Sequence, residues 1–396
     1  MGWGKNLHGQ LSTRDFSDVL APKKIDTPNV PEDVSVNGSN SILLTEDKKI
    51  YLSGYNKNNQ ISDGNTNNIS SFTEKNVDFI PEKVYAGESG FYMILDIEGY
   101  LYAWGQNTFG QLGDGTKNQT STPTKIGDKK WKSLSLGRSA VAAIDDEGFL
   151  YTWGAGTDGI LGNNSTKEKL IPTKISDKKW LSVSVGFYSM AAIDDEGFLY
   201  TWGFGGYLQL GNNSTTGKLI PTKISDKKWL SVSMGFNHVA AIDDECFLYT
   251  WGKNDSGQLL NGTTNEISTP TKIGEKKWRV AIAKVSFTIL IDEDGYLFAG
   301  GDNSNGQLGN GGKIPSSTAE QVGENRWYIE NPKQAHFLLS KNNTVYTIED
   351  GILKEIPNSF DMKYIFKTYG VTAITKDDCI NIAQTLQKAK ILRMTV

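Results

Sequence analysis

All ten tryptophans of this 396-residue chain fall into two slots of one repeating unit, and that regularity constrains the fold more than any other feature. Trp131, Trp180, Trp229, Trp278 and Trp327 succeed one another at 49 residues, and Trp104, Trp153, Trp202 and Trp251 do the same in a second register. Trp3 joins the second register, because the Gly-Gln-Leu six residues after it recurs after Trp104 and Trp251. A fixed period of this length means stacked supersecondary units, each unable to bury its apolar face alone. One tryptophan per unit and register is expected to be core between units; Ser53, Gly300, Ile348 and Ala383 fill the slot without an aromatic ring.

The unit Ser225 to Gly252 carries three strand-like runs: Trp229 to Met234 alternating with serine, Val239 to Ile242, and Phe247 to Trp251. A fourth, Pro221 to Ile224, precedes it. Tight turns join three of them and a longer loop, such as Gly252 to Thr269, reaches the fourth, which predicts a four-stranded antiparallel meander. Four strands per unit, radially repeated, is a propeller blade. A solenoid would need polar caps, whereas this chain opens inside a unit at Trp3, so its first strand is expected to complete the last sheet and close the ring.

At this point the residues resemble a known repeat. Glu98 to Gly115 reads Glu-Gly-Tyr-Leu-Tyr-Ala-Trp-Gly-Gln-Asn-Thr-Phe-Gly-Gln-Leu-Gly-Asp-Gly, Gly235 to Ile242 supplies a Gly-x-x-His half, and Asp294 to Gly309 keeps the second half with Gly300 in the tryptophan slot. These strings are similar to the repeat of the regulator of chromosome condensation (RCC1) family, over roughly residues 1 to 383. The resemblance implies a seven-bladed all-β propeller, yet eight core blocks begin near Val34, Lys83, Trp131, Trp180, Trp229, Trp278, Trp327 and Lys363. The expectation is therefore an all-β, RCC1-like propeller of seven or eight four-stranded blades over 1–383, with a tail at 384–396. Asp378 could cap a helix within Asp377 to Met394 that carries Ile380, Leu386, Ile391 and Leu392.

Composition narrows the function. A formal charge of -4, from 41 basic and 45 acidic residues, leaves no electrostatic footprint for nucleic acid. The N-terminus lacks the apolar core of a signal peptide, and no stretch approaches the roughly 20 apolar residues of a membrane span, so a cytoplasmic or particle-assembled protein is expected. Cys246 and Cys379 form neither a disulfide framework nor a thiolate metal site. No nucleophile triad, metal cluster or phosphate loop is found: Gly203-Phe204-Gly205-Gly206 is glycine-rich but has no helix after it. Hence no catalytic residue, metal or cofactor is expected.

The acidic hairpins Asp145-Asp146-Glu147, Asp194-Asp195-Glu196 and Asp243-Asp244-Glu245 lack the spacing of a calcium loop. They should share a face with Lys129-Lys130, Lys178-Lys179, Lys227-Lys228 and Lys276-Lys277, giving a solvated rim of cancelling charge. The opposite face should carry the short turns and the long loops. Between the near-duplicate units Ile175–Gly203 and Ile224–Gly252 only five positions differ, and three of them, Tyr188/Asn237, Ser189/His238 and Met190/Val239, lie in or beside the short turn. Variation on a loop above a copied scaffold points to binding. Phe109, Arg138, Phe187, Tyr188, Tyr207, Phe236, Asn237 and His238 are the candidate contacts, aromatics and arginine being the usual anchors. His238 and His336 both sit nine residues after a tryptophan, which argues for a repeated structural hydrogen bond; His8 has no visible partner.

A non-enzymatic scaffold or binding propeller, taking a protein or glycan on its looped face, is the expected function. An inhibitor, a host-directed effector and a structural component of an assembly such as a virion all fit it. The alternative, implied by the resemblance, is guanine-nucleotide exchange on a Ras-like GTPase. The uniform spacing leaves no room for a projecting wedge in mid-chain, and fold alone does not transfer activity.

Overall fold

Alternation of apolar residues with serine makes strands, and the Asp- and Gly-bearing turns between them return the chain antiparallel. The computed structural model describes residues 2–58, 60–61 and 66–326, with the backbone of strands Phe337–Ser340, Thr344–Glu349 and Ile352–Leu353. Trp327, His336, the block near Lys363, Cys379, Ala383, the helix expected within 377–394 and the tail at 384–396 lie outside the described residues, as does the side chain of Ile348.

Among the described residues the strands group into seven blades, named A to G. Blade A holds Pro31–Asn37, Asn40–Thr45, Ile50–Gly54 and Ile69–Lys75. Blade B starts with Pro81–Gly87, Phe91–Asp96 and Tyr100–Gly105. The hairpins Ala140–Asp145/Phe149–Gly154, Ser189–Asp194/Phe198–Gly203, His238–Asp243/Phe247–Gly252 and Phe287–Asp292/Tyr296–Gly301 form the middles of blades C, D, E and F. Ser316–Arg326 is the outer strand of F.

The sequence reading made the outer strand of one unit and the inner strand of the next separate elements; the structure joins them. Thr120–Leu136, Lys169–Val185, Lys218–Met234 and Ile267–Ala283 each run 17 residues from the outer edge of one blade to the inner edge of the next. Lys228 pairs with Phe198 in blade D, and the adjacent Trp229 pairs with Asp243 in blade E. Each of these strands carries its proline on the outer side of the crossing, at Pro123, Pro172, Pro221 and Pro270, and no loop separates the two pairings; Gly127 and Gly274 bend the backbone at φ of 62 and 64° in the first and last of them.

Blade G draws on both chain ends, with Gly2–Gly4 paired to Val19–Lys23 on one side and to Ile352 on the other. Packing shows that this closes a ring. Seven apolar clusters occur among the described residues, and each spans one boundary between neighbouring blades. At the C–D boundary, Ala140, Ala142, Ile144 and Leu150 meet Trp180, Val185, Met190 and Trp202. At F–G, Trp3 packs on Ile289, Leu297 and Leu308; at G–A, Leu11 packs on Val34, Val36 and Leu43.

Tryptophans of the second register lie fully buried in these boundaries, and burial of each such side chain contributes roughly 1.5–3 kcal/mol. Each indole also donates to a loop carbonyl of the preceding blade: Trp153 to Gln111 at 2.9 Å, Trp202 to Ile160 at 2.7 Å, Trp251 to Gln209 at 3.0 Å, and Trp3 to Gln307 at 3.1 Å. Trp3 thus seats on blade F as its sisters seat on theirs.

Candidate functional site

The short turn before each second strand and the long loop after each third strand lie at the same end of the blade. Ala140 pairs with Gly154, and the Ala155 N–H reaches the Ser139 carbonyl at 2.8 Å. The other end carries the acidic hairpins. There the first aspartate of each hairpin is buried, and a lysine of the incoming strand bonds it: Lys129–Asp145 at 3.0 Å, Lys178–Asp194 at 2.8 Å, Lys227–Asp243 at 2.9 Å and Lys276–Asp292 at 2.7 Å. Burial alone would raise the Asp194 carboxyl, but hydrogen bonds from Lys178 and the Phe198 N–H outweigh it and hold the group below the ordinary carboxylate range. The lysine side of this rim is solvated as expected, but the aspartate of each pair is buried at the base of its hairpin, which makes the pair a repeated clamp on the turn.

On the looped face a repeated asparagine holds the loops. Asn107 Nδ2 donates to the carbonyls of Thr116 and Asn118, both at 3.1 Å, while its Oδ1 accepts the Leu112 N–H at 3.0 Å. Asn254 does the same with Thr263, Asn265 and Leu259. Gln111 Oε1 accepts the Phe109 N–H, and Gln209 Oε1 the Tyr207 N–H, each at 2.9 Å. These bonds fix the loop tips of blades B and E; in blade D, Gly205 takes the asparagine position and the Gln209 bond holds the Tyr207 tip.

The short turns meet around the central channel. A Cβ on Gly186 would stand 2.7 Å from the Gly235 carbonyl, and one on Gly235 would stand 2.1 Å from the Lys284 carbonyl, so only glycine lets adjacent turns touch backbone to backbone. Glu88, Arg138, Phe187, Phe236 and Lys284 consequently occupy equivalent turns of successive blades. Burial pulls the Lys284 ammonium down to about 8, with Glu88 opposing, and burial pushes the Glu88 carboxyl up against the pull of Lys284 and Arg138.

Five of the eight candidate residues come together. Arg138 lies over the Phe187 ring at 4.7 Å, Phe187 contacts Phe236 at 4.0 Å and Tyr188 at 4.5 Å, and Tyr188 reaches Phe204 at 6.1 Å. Phe204 reaches Tyr207 at 5.9 Å, with Lys253 over Tyr207 at 5.2 Å. The result is a strip of partly exposed rings running outward from the channel mouth across blade D. Sequence reasoning missed Phe204, Lys253, Glu88 and Lys284. For Phe204 the signal was present in Gly206: a Cβ there would stand 2.3 Å from the Phe204 ring, so the glycine leaves that ring its room.

Three candidates fall outside the strip. Phe109 is exposed but makes no ring contact among the described residues. Asn237 is buried at 4 %, and His238 is buried completely, so neither offers a contact surface. His238 instead makes a structural hydrogen bond at this one boundary, and the repetition expected of it with His336 lies outside the described residues. Thr288 Oγ1 donates to the Gln258 carbonyl at 2.8 Å, which leaves the hydroxyl oxygen to accept from His238 Nε2–H at 3.0 Å. Burial pulls the His238 imidazole down to about 3, so it is neutral in the fold. His8, for which the sequence offered no partner, meets Asn68 Nδ2 at 3.1 Å and the edge of Tyr55 at 5.4 Å.

A closed ring of tryptophan-stapled blades, with an aromatic strip beside its channel mouth, defines a repeat propeller of the kind that presents loops from a rigid disc. The chain belongs to the RCC1-like domain family, whose model matches residues 1–344. Human WBSCR16 superposes with a TM-score of 0.74 at 19% identity, covering 83% of this chain and 95% of that one. Yeast RCC1 (Prp20), crystallised bound to Kap60, gives 0.73 at 15% identity over 97% and 91%. Among curated relatives, the zebrafish Protein RCC2 homolog is 34% identical over 116 residues, 28% of this chain and 23% of that protein. The mouse secretion-regulating guanine nucleotide exchange factor is 30% identical over 115 residues, 28% of this chain and 25% of that protein. This chain thus aligns with a quarter or less of each of these relatives. No helix among the described residues is long and apolar enough to cross a membrane.

Proposed function

We propose that the protein is a non-enzymatic binding propeller that captures a partner protein on its looped face, through the strip from Phe236 to Tyr207. The observation that carries this reading is the difference between two nearly copied blades. Blade D presents Tyr188, Phe204 and Tyr207 where blade E has Asn237, Lys253 and Ser256, while the strands beneath are almost identical. Large aromatics held partly in water by fixed loops are the residues that anchor interfaces. Replacing Phe187, Tyr188 and Phe236 together by alanine is expected to abolish capture of a partner from a matched extract while leaving the melting temperature nearly unchanged. Capture that survives the triple substitution would move the site off this face.

Guanine-nucleotide exchange on a Ras-like GTPase is the second reading, favoured by the segment shared with the mouse exchange factor. Nucleotide release from a panel of such GTPases tests it. Acceleration by the intact chain would replace the scaffold reading, and unchanged release would leave capture as the function.

A further inference from the structure

We propose that the strip takes an extended peptide segment, with apolar side chains at alternate positions along the rings and a carboxylate at Arg138. The inference rests on the binding reading above and adds the chemistry of the occupant.

Spacing argues for an extended chain. Phe236 to Tyr188, Tyr188 to Phe204 and Phe204 to Tyr207 are steps of 6.0, 6.1 and 5.9 Å between ring centroids. Side chains on one face of an extended peptide recur about every 6.5 Å, so alternate residues can each meet one ring gap. Beyond the triangle of Phe187, Tyr188 and Phe236 at its inner end, the strip continues as single rings, Phe204 and then Tyr207, along blade D, which suits a linear segment better than a broad protein surface.

Charge supplies direction. Arg138 is exposed, its guanidinium stacked on Phe187 at the inner end, and no described carboxylate lies within salt-bridge distance of it. Glu88 is near enough to feel that charge, yet it is half-buried and its ionised form is disfavoured. At the outer end Lys253 is already held by Asp255 at 2.8 Å. The inner end is thus the place where an incoming acid finds an available planar donor, pre-oriented by the ring beneath it.

The probe is a phage-displayed library of random linear peptides, panned on the full-length chain. Enrichment of sequences with Asp or Glu beside alternating apolar residues is expected, with binding weakened about tenfold or more by Arg138→Ala. Arg138→Glu should turn the selection toward Lys or Arg at the same position, a reversal that a folding defect cannot produce. If the enriched peptides carry no acid and Arg138→Ala is silent, while the triple alanine variant still loses them, the occupant proposed here is overturned and the looped-face reading stands. If the triple variant binds them unchanged, both fall. Binding of neutral oligosaccharides on an array without any peptide enrichment would also overturn the peptide.

Discussion

Blades D and E contain the nearest thing in this molecule to a controlled experiment. Units Ile175–Gly203 and Ile224–Gly252 differ at five positions, and the structure assigns those five to four separate causes. Val185 is the cross-strand partner of Met190, and Met234 is the partner of Val239, so two of the differences are one exchange of a large and a small side chain across the same pair. Ser189 and His238 differ because of the blade that follows. Tyr188 and Asn237 differ at the surface. Gly197 and Cys246 differ at a hairpin bend. A cluster of changes near a turn therefore overstated the divergence of the binding surface: only one of the three turn-side differences bears on it.

Shared features should fail equally in both blades, and here the largest effect is expected. Trp202 and Trp251 are fully buried and bonded to the preceding loop in the same way. Trp202→Ala and Trp251→Ala should each cost about 3–5 kcal/mol in urea unfolding. A wide gap between the two would show that the blades are not energetically equivalent.

The Val/Met exchange sharpens the comparison at intermediate cost. Val185→Met alone overpacks the boundary by about 1–3 kcal/mol, and Met190→Val alone leaves a gap, whereas the pair together rebuilds the arrangement of blade E. A double-mutant cycle should return a coupling on the order of 1 kcal/mol or more. Additive costs would mean that the two sites sense different neighbours.

His238 separates the blades by pH. Unfolded, its pKa lies near 6.5; folded, burial holds it near 3, so between these values the unfolded chain binds more protons and stability falls as pH falls. The expected slope from this group is up to about 1.4 kcal/mol per pH unit. His238→Ser, the residue of blade D, should flatten the stability curve between pH 6 and 4 by about that amount per unit, whatever it costs at neutral pH. An unchanged slope would mean that the imidazole is protonated in the fold.

These cases show where the sequence was legible. Strands, blades and buried tryptophans followed from period and alternation, because each repeat writes the same local rule many times. Exchanges between blades were hidden, because both halves look like decay when read singly. Gly113, Gly162, Gly211 and Gly309 each sit against the next indole, where a Cβ would come within 2.8 Å. At the E–F boundary Leu260 replaces that glycine and Gly300 replaces the tryptophan, where a Cβ would stand 2.4 Å from Leu260. The missing indole leaves the Gln258 carbonyl to Thr288, and Thr288 in turn to His238. Gly300 was visible as a gap, but its compensation lies 40 residues upstream in a loop that reads Gly-Gln-Leu-Leu. The strip was half legible for a similar reason: Arg138, Phe187 and Phe236 share a repeat position, whereas Phe204 and Tyr207 join them only through the fold.

The smallest effect expected is at the hairpin bend, and it has the opposite sign. Gly99, Gly148, Gly197 and Gly295 take φ of 88, 93, 87 and 86° at this position, and Cys246 is forced to 71°. Its backbone keeps both sister bonds, accepting from the Trp278 N–H at 2.8 Å and donating to the Asp243 carbonyl at 3.0 Å, so the bend itself is unchanged and only the Cβ is strained. Left-handed backbone costs an L-residue about 1–2 kcal/mol, partly offset by the flexibility that glycine returns to the unfolded chain. Cys246→Gly should therefore stabilise the protein by roughly 0.5–1 kcal/mol, and Gly197→Cys should destabilise blade D by a similar amount. If Cys246→Gly gives no gain while Gly197→Cys still costs, the half-buried thiol must be returning in packing what the bend takes in strain.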